Sequence, residues 1–220
     1  MSRNGSASLN GLTIIKENDE RTNTRRRVLI LSPIKNGRIT YPPATHMSAP
    51  EGRAIILAGS CSAATRTQVQ VAISSGFPAF RVDPIDISTG KLTHETVLKW
   101  LAEQSQSAIP LIYSSDEPEN VERVQKELGL AAASHNVENL LANVAKALPA
   151  FGFYRFVIAG GETSGAVVEA LGISALSIGP EIDPGVPWTL SRSEPKIALA
   201  LKSGNFGTPD FFLKAWNVLE

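Results

Sequence analysis

The sequence contains almost no cysteine and no long apolar run, and each absence narrows what the chain can be. Cys61 is the only cysteine among 220 residues, so an internal disulfide framework is excluded and a reducing compartment is expected. No apolar stretch approaches the roughly 20 residues that a helix needs to span a bilayer, and the first residues lack the apolar core of a secretory signal. We therefore expect a cytoplasmic protein without a membrane partner.

An excess of charge of either sign is also absent. Lysine plus arginine and aspartate plus glutamate both number 21, so the formal net charge is zero. This balance gives no electrostatic reason to expect a nucleic-acid partner. The hydrophobic fraction of 43% and the charged fraction of 19% are those of an ordinary globular protein.

Several well-known site motifs are missing as well. No stretch fits G-x-x-x-x-G-K-[ST] or G-x-G-x-x-G, so neither a P-loop nor the Rossmann dinucleotide fingerprint is present. The three histidines, His46, His94 and His135, are far apart in the sequence and do not predict a metal site. Cys61 lies between two serines, and the sequence favours packing over a nucleophilic role because no histidine is placed to act as its base.

The composition changes near residue 47. Residues 1–46 are rich in Ser, Asn, Thr and Arg, and we expect an N-terminal extension or linker, disordered at least in part, with one short strand at 28–31. Residues 47–220 alternate between short apolar runs and helical patterns. Strands are predicted at 54–58, 79–82, 111–114, 155–159 and 175–178, with a further apolar run at 196–201. Helices are predicted at 63–75, 93–104, 117–128 and 137–148, from about residue 166 to 172, and at 210–219.

This alternation predicts an α/β fold. Strands that alternate with helices of ten to fifteen residues are joined by βαβ crossovers, which require a mainly parallel sheet with helices on both faces. The expected architecture is a three-layer αβα domain.

Three loops that follow predicted strands are built from Gly, Ser, Thr and Asn. They are residues 59–62, 160–165 and 203–207. Glycine lets backbone N–H groups approach a phosphate, and a helix N-terminus adds unpaired donors and positive potential. Ordinary βα turns also favour these residue types, so residues 59–62 alone favour a structural role, residues 160–165 favour a functional one, and residues 203–207 are open.

Residues 181–188, with two prolines, one glycine and Trp188, are expected to form a fixed loop rather than a strand or a helix. Glu181 and Asp183, together with Glu162, are candidates to hold Mg²⁺ through water. Packing is the alternative role for Trp188, and direct metal ligation by either acid is the less favoured option.

Four ordered segments carry a family resemblance. They are LAGSCSAAT at 57–65, AGGETSG at 159–165, GPEIDPGVPW at 179–188 and LKSGNFG at 201–207. Together they resemble the C-terminal nucleotide-binding domain of the four-carbon acid sugar kinases, the 3-oxo-tetronate, D-threonate and D-erythronate kinases. The resemblance covers residues 47–220.

The resemblance implies ATP-dependent phosphorylation of a four-carbon sugar acid, with ATP and Mg²⁺ as cofactors. The implied nucleotide contacts are Ser60, Ser62, Gly160, Gly161, Glu162, Thr163, Gly204 and Asn205. Family members carry the acid-binding site in an N-terminal domain with an Asp-Asp-Phe-Thr-Gly-type motif, which this sequence lacks. The acid is therefore expected to bind through a separate domain or partner chain, and the catalytic residues stay unknown.

Two other functions remain open at this stage. A non-catalytic nucleotide-binding or regulatory module fits the same loops, and an oxidoreductase is disfavoured because its glycine fingerprint is missing. The sequence does not identify the sugar acid or the oligomeric state, for which a homodimer is one option.

Overall fold

The computed structural model describes residues 8–9, 12–18, 25–31, 34–35, 38–39, 47–114 and 118–219. The strands are β1 Ser8–Leu9, β2 Leu12–Asn18, β3 Arg25–Leu31, β4 Ile34–Lys35, β5 Arg38–Ile39, β6 Arg53–Ala58, β7 Ala79–Arg81, β8 Leu111–Tyr113, β9 Phe153–Ala159, β10 Ala175–Asp183, β11 Val186–Ser191 and β12 Ala198–Lys202. The helices are α1 Ala63–Ser74, α2 Pro84–Ser88, α3 His94–Ala102, α4 Pro118–Leu128, α5 Leu130–Ala147, α6 Gly161–Ala170 and α7 Phe211–Lys214, with 3₁₀ turns at Leu148–Phe151 and Ala215–Val218.

The large sheet has the strand order β1-β2-β3-β10-β11-β12-β9-β6-β8-β7. The run from β12 to β7 is parallel throughout, whereas β11 is antiparallel to both of its neighbours. The predicted α/β fold with a mainly parallel sheet is therefore confirmed, with an antiparallel part added on the β10–β11 side.

Side chains alternate along β6 and build a core on each face of the sheet. Ile55 and Leu57 pack with α3, α5 and α6 on one face, while Ile56 and Ala58 pack with α1, α7 and Trp188 on the other. All four of these β6 side chains are fully buried. This arrangement is the predicted three-layer αβα architecture.

Three predicted element boundaries are wrong. Residues 161–165 were expected in a loop but form the first half of α6, and α5 begins seven residues before the predicted start at 137. Residues 181–188 are not an irregular loop, because β10 and β11 form a hairpin that turns between Asp183 and Val186. Trp188 is a packing residue: it is fully buried, and its indole Nε1 donates to the Ala215 carbonyl at 2.9 Å.

The predicted strand at 28–31 lies within β3, which pairs with β2 and β10. The rest of the proposed 1–46 extension lies mostly outside the described residues, and its boundary stays a prediction. In the described part of the chain, no helix is long and apolar enough to cross a membrane.

Candidate functional site

The three glycine-containing segments meet because the strands before them are adjacent and parallel. In β12, β9 and β6 the carboxyl ends lie at the same edge of the sheet, where ligands of open α/β folds bind. The Gly160 N–H donates to the Lys202 carbonyl at 2.8 Å, and the Ser60 N–H donates to the Ala159 carbonyl at 3.1 Å. These backbone hydrogen bonds join the three segments into one surface.

Close packing at this surface requires glycine at several positions, including 160 and 204. Gly160 has φ +127°, in the range that favours glycine, and a Cβ there would lie 2.9 Å from the Thr163 hydroxyl. A Cβ on Gly204 would lie 2.6 Å from the Ser60 hydroxyl. A larger residue at position 204 would push two segments apart, and one at position 160 would collide with the Thr163 side chain of its own segment.

Two helices begin at this surface, and their N-termini differ. Ser62 caps α1, because its hydroxyl accepts a hydrogen bond from the Thr65 N–H at 3.2 Å. Gly160 occupies the same position before α6 and has no side chain with which to cap it. The first N–H groups of α6 therefore remain available to an anion, at the positive end of the helix dipole.

A cavity of about 290 Å³ opens over the start of α6. Its polar wall includes Ser60, Gly160, Gly161, Glu162, Thr163 and Gly204. Its apolar wall includes Val82, Val121, Val124, Leu130, Ala133 and Val137, which come from the end of β7 and from α4 and α5. Leu130 is 63% exposed, so the cavity mouth presents apolar surface to solvent.

Two carboxylates lie close together in the cavity lining. Glu138 on α5 and Glu162 on α6 interact directly. Burial raises the pKa of the Glu138 carboxyl above its ordinary value, and the charge of Glu162 and a hydrogen bond with it raise that pKa further. The pair therefore favours a shared proton or a hydrogen-bond donor between its oxygens.

Six of the eight predicted contacts line the cavity, namely the residues of the polar wall. Ser62 and Asn205 do not line it. Ser62 lies behind the wall, where its hydroxyl donates to the Gly204 carbonyl at 2.6 Å, and Asn205 is exposed beyond it. None of the eight assignments is tested by a bound ligand, so they stay predictions.

Sequence reasoning missed the most unusual residue near the site, Lys202 at the end of β12. Its side chain is fully buried, and its ammonium donates to Thr65 Oγ1 at 3.1 Å and to the carbonyls of Ser203 and Gly204 at 3.2 and 2.9 Å. Burial lowers the pKa of Lys202 to about 8. The available signal was a lysine at the end of an apolar run, immediately before the glycine loop.

The acidic residues of the β10–β11 hairpin do not join this cavity. Asp183 binds Lys214 Nζ at 2.6 Å, and Glu181 accepts a hydrogen bond from the Gly185 N–H at 2.6 Å. Neither lines the cavity beside Glu162. The expectation that they hold Mg²⁺ together with Glu162 therefore gains no support, and the described residues contain no group of three His, Cys, Asp or Glu side chains placed to hold a metal ion.

The chain is similar to several kinases over most of its own length. It is 46% identical over 181 residues to a 3-oxo-tetronate kinase of Pseudomonas savastanoi pv. phaseolicola, covering 82% of this chain and 42% of that protein. It is 48% identical over 172 residues to a 3-oxo-tetronate kinase of Cupriavidus necator, covering 78% of this chain and 39% of that protein. The chain thus spans about two fifths of the length of these relatives.

A solved structure and a family model agree with these similarities. The crystal structure of a Haemophilus influenzae protein superposes with a TM-score of 0.72 at 37% identity, over 78% of this chain and 41% of that one. A model described as a nucleotide-binding C-terminal domain matches residues 55–212, which include all three segments that meet at the cavity. The chain therefore belongs to the nucleotide-binding C-terminal domain family found in 3-oxo-tetronate kinases.

Proposed function

We propose that the chain binds ATP in the cavity at the carboxyl ends of β6, β9 and β12, and that it supplies the nucleotide site of a kinase acting on a four-carbon sugar acid. The observation that carries the proposal is the N-terminus of α6. It opens into the cavity from a glycine that cannot cap it, and it is surrounded by segments packed too closely to admit side chains. This arrangement suits a phosphate group better than any neutral ligand.

The polar wall would hold the phosphates of ATP. Backbone N–H groups at the start of α6 supply hydrogen-bond donors, and the hydroxyls of Ser60 and Thr163 lie in the same wall. ATP would supply the phosphoryl group that is transferred. The contribution of this chain is to position that group and to offset its charge, which is the larger part of catalysis in phosphoryl transfer.

The apolar wall would hold the base. Val124 and Val137 are buried at its back, and Leu130 stands exposed at its edge. A flat aromatic ring that covered Leu130 would remove apolar surface from water, a favourable change of about 25 cal/mol for each Å² buried. The two walls together match a ligand with one apolar end and one anionic end.

Mg²⁺ would accompany ATP at the polar wall. Glu162 is the carboxylate that belongs both to the cavity lining and to the first turn of α6. Mg²⁺ in nucleotide sites keeps several waters and uses one or two carboxylates together with the phosphates, so a single acid is a sufficient donor from this chain. We propose contact through water rather than direct ligation.

The kinase reaction itself rests on the relatives. The 3-oxo-tetronate kinases match this chain over about two fifths of their length, and we propose that the acceptor acid binds to residues outside that match. The nucleotide site and the acceptor site would then meet at the cavity mouth. A non-catalytic nucleotide-binding module remains the competing function.

Calorimetric titration with ATP, adenosine and NAD, each with Mg²⁺, tests the nucleotide site. We expect saturable binding of ATP, weaker binding of adenosine and no comparable binding of NAD. Leu130→Ala should weaken ATP and adenosine by the same factor, about three- to tenfold, because it removes part of the base-binding wall. Phe151→Ala is the matched control, since Phe151 is 41% exposed and lies away from the cavity.

A phosphotransfer assay separates the kinase from the non-catalytic module. The chain would be incubated with ATP and 3-oxo-tetronate, alone and mixed with the part of the Pseudomonas savastanoi relative that it does not match. Phosphorylated acid in the mixture supports the kinase. ATP binding without transfer in either sample would favour the non-catalytic module.

A further inference from the structure

Lys202 is a buried cation whose partners are all neutral. Its three ammonium hydrogens are matched by three acceptors, the hydroxyl of Thr65 and the carbonyls of Ser203 and Gly204. Across residues 47–114 and 118–219, no carboxylate forms an ion pair with it. Placing a charge in the interior without a counter-ion is costly, because the charge loses its hydration.

The position of Lys202 shows which parts of the site it holds together. Thr65 belongs to α1, and Gly204 lines the cavity, so one ammonium ties the first turn of α1 to the cavity wall. The Thr65 hydroxyl also donates to the Gly204 carbonyl at 3.0 Å, and the Ser62 hydroxyl donates to it at 2.6 Å. With three donors converging on it, the Gly204 carbonyl oxygen is engaged in hydrogen bonds, which offsets the negative potential that would repel an anion.

We infer that Lys202 is a positioning residue for the proposed nucleotide site, which fixes the Gly204 loop for close approach and supplies the positive potential that favours the ligand's phosphates. The inference rests on the proposed function, because it concerns the same cavity. Methionine would fill a similar volume without the cost of a buried charge. A buried lysine without a carboxylate is therefore best explained by an anion that binds nearby.

The inference also predicts that binding is linked to a proton. The pKa of Lys202 is lowered to about 8 by burial, with no contribution from a charged neighbour. Anionic phosphates nearby would raise that pKa again, so ATP should bind more tightly to the protonated protein. The expected sign is a loss of ATP affinity as the pH rises through about 8, with proton uptake on binding at that pH.

Other ionisable groups near the site define the controls. Cys61 lines the cavity and carries an ionisable thiol, so the parent protein and the Lys202 variant should both carry Cys61→Ser. Arg66 on α1 donates to the Cys61 carbonyl, and Arg81 lines the cavity from the end of β7. The carboxylates Glu138 and Glu162 line it from α5 and α6. Lys202→Gln leaves the arginines and both carboxylates in place, so comparison with the parent protein separates the contribution of Lys202 from theirs.

The test compares Lys202→Gln with the parent protein, because glutamine still donates a hydrogen bond but carries no charge. ATP affinity should fall about tenfold or more, while adenosine affinity changes less than about twofold, since the lost positive potential acts on the charged phosphates and not on the neutral nucleoside. The pH dependence of ATP binding between 7.5 and 9.5 should disappear in the variant. Lys196→Gln is the control, because Lys196 is a partly exposed lysine paired with Glu194.

Each outcome is decisive. Equal losses for ATP and adenosine would show a purely structural role and overturn the inference, as would unchanged ATP binding. If Lys202→Gln does not fold, calorimetry of the parent protein at pH 8 in two buffers of different ionisation enthalpy replaces it. Uptake of up to about half a proton with ATP, and none with adenosine, supports the inference, and no uptake with ATP overturns it. A parent protein that binds adenosine but not ATP, or neither, contradicts the proposed function itself.

Discussion

At the scale of single residues, the glycines of the polar wall are not equivalent. A Cβ on Gly204 would meet the Ser60 hydroxyl at 2.6 Å, whereas a Cβ on Gly161 would meet no atom within 4 Å. Gly204 is therefore required by the protein's own packing. Gly161 has space that the folded chain does not use, so a side chain there tests the ligand rather than the fold.

Gly161→Val should abolish or strongly weaken ATP binding while leaving the protein folded. The added side chain would enter the cavity at the start of α6, and valine is no worse than glycine for the helix itself. We expect at least a tenfold loss of ATP affinity by calorimetry, with a melting temperature equal to or above that of the parent. Gly165→Val is the matched control: Gly165 is exposed in the same helix, has equal free space and does not line the cavity. Parent-like ATP affinity in the Gly161 variant would contradict the phosphate assignment.

Glu138 gives a residue-scale prediction about pH. Its folded-state pKa is raised, first by burial and then by Glu162, so its stabilising effect is complete below its unfolded pKa and is lost as the pH rises through the folded one. At pH 8 the charged carboxylate is therefore unfavourable. Glu138→Gln should raise the melting temperature at pH 8, on the order of 1 °C. The difference should disappear as the pH falls towards 4, because the Glu138 carboxyl then becomes neutral like the glutamine amide.

Glu162→Gln provides the comparison for that measurement. It removes the same repulsion from the other side, so the double variant should gain less than the sum of the two single gains. A melting temperature that falls at pH 8 in Glu138→Gln would show that the charged carboxylate is held by a favourable contact. That result would contradict the shared-proton interpretation of the pair.

At the scale of elements, the far end of the loop after β12 is held by side chains distant in sequence. Gln68 of α1 donates from Nε2 to the carbonyls of Phe206, Gly207 and Thr208 at 3.0–3.1 Å. Asp183, at the end of β10, accepts from the Thr208 N–H at 2.9 Å and from Lys214. The segment that carries Gly204 is thus fixed by α1, by the β10–β11 hairpin and by α7.

Asp183→Asn should loosen this arrangement in a pH-dependent way. Burial alone would raise the pKa of Asp183, but hydrogen bonds from Lys214 and Thr208 and the lysine charge outweigh it, so the pKa is lowered. The stabilisation is therefore present above the unfolded pKa and is lost as the pH falls through the lowered one. We expect a loss of about 1–3 kcal/mol in the free energy of unfolding at pH 7, measured by urea titration, and a smaller loss at acidic pH once the carboxyl becomes protonated. Asp210→Asn, at an exposed neighbour, should cost far less.

The element scale also shows what could be predicted from the sequence. Short apolar runs followed by Gly and Ser located β6, β9 and the loop after β12 correctly, because buried parallel strands and their turns have local signatures. Residues 161–165 were placed in a loop because glycine and small polar residues are typical of turns, yet tertiary packing lets α6 begin at Gly161. Residues 181–188 were misassigned because proline is rare in strands, although a register shift between β10 and β11 accommodates Pro187.

For the site, as for the fold, the features that follow from local sequence and fold class could be predicted, and those that depend on tertiary packing could not. Six predicted residues line the cavity because adjacent parallel strands bring their carboxyl ends together, a consequence of fold class alone. The apolar wall from α4 and α5 and the burial of Lys202 depend on how helices pack across the sheet. Contacts such as Lys202 with Thr65, 137 residues apart, have no local signature.

At the scale of the whole molecule, the strands that lead into the cavity loops lie between the two cores and contribute side chains to both. Trp100 packs against the core on the side of α3 and α5, whereas the tilted rings of Trp188 and Trp216, with centroids 5.6 Å apart, lie in the core on the opposite face. A ligand that joins the β6, β9 and β12 loops should therefore stabilise both faces together. It should not act on one face alone, because the central strands contribute side chains to each core.

ATP should consequently raise the melting temperature by the same amount whether unfolding is followed by a probe on one face of the sheet or on the other. At a free ATP concentration 100 times the dissociation constant, linkage contributes about 2.7 kcal/mol, which corresponds to a rise of roughly 5–11 °C for a domain of this size. Thermal melts would be followed by tryptophan fluorescence in Trp100→Phe, which reports the Trp188 face, and in the double variant Trp188→Phe/Trp216→Phe, which reports the Trp100 face. Equal shifts in both proteins indicate one cooperative unit. A shift seen only by the probe on the Trp100 face would mean that the ligand contacts α4 and α5 but not the loops after β9 and β12. The binding site would then consist of the apolar wall alone.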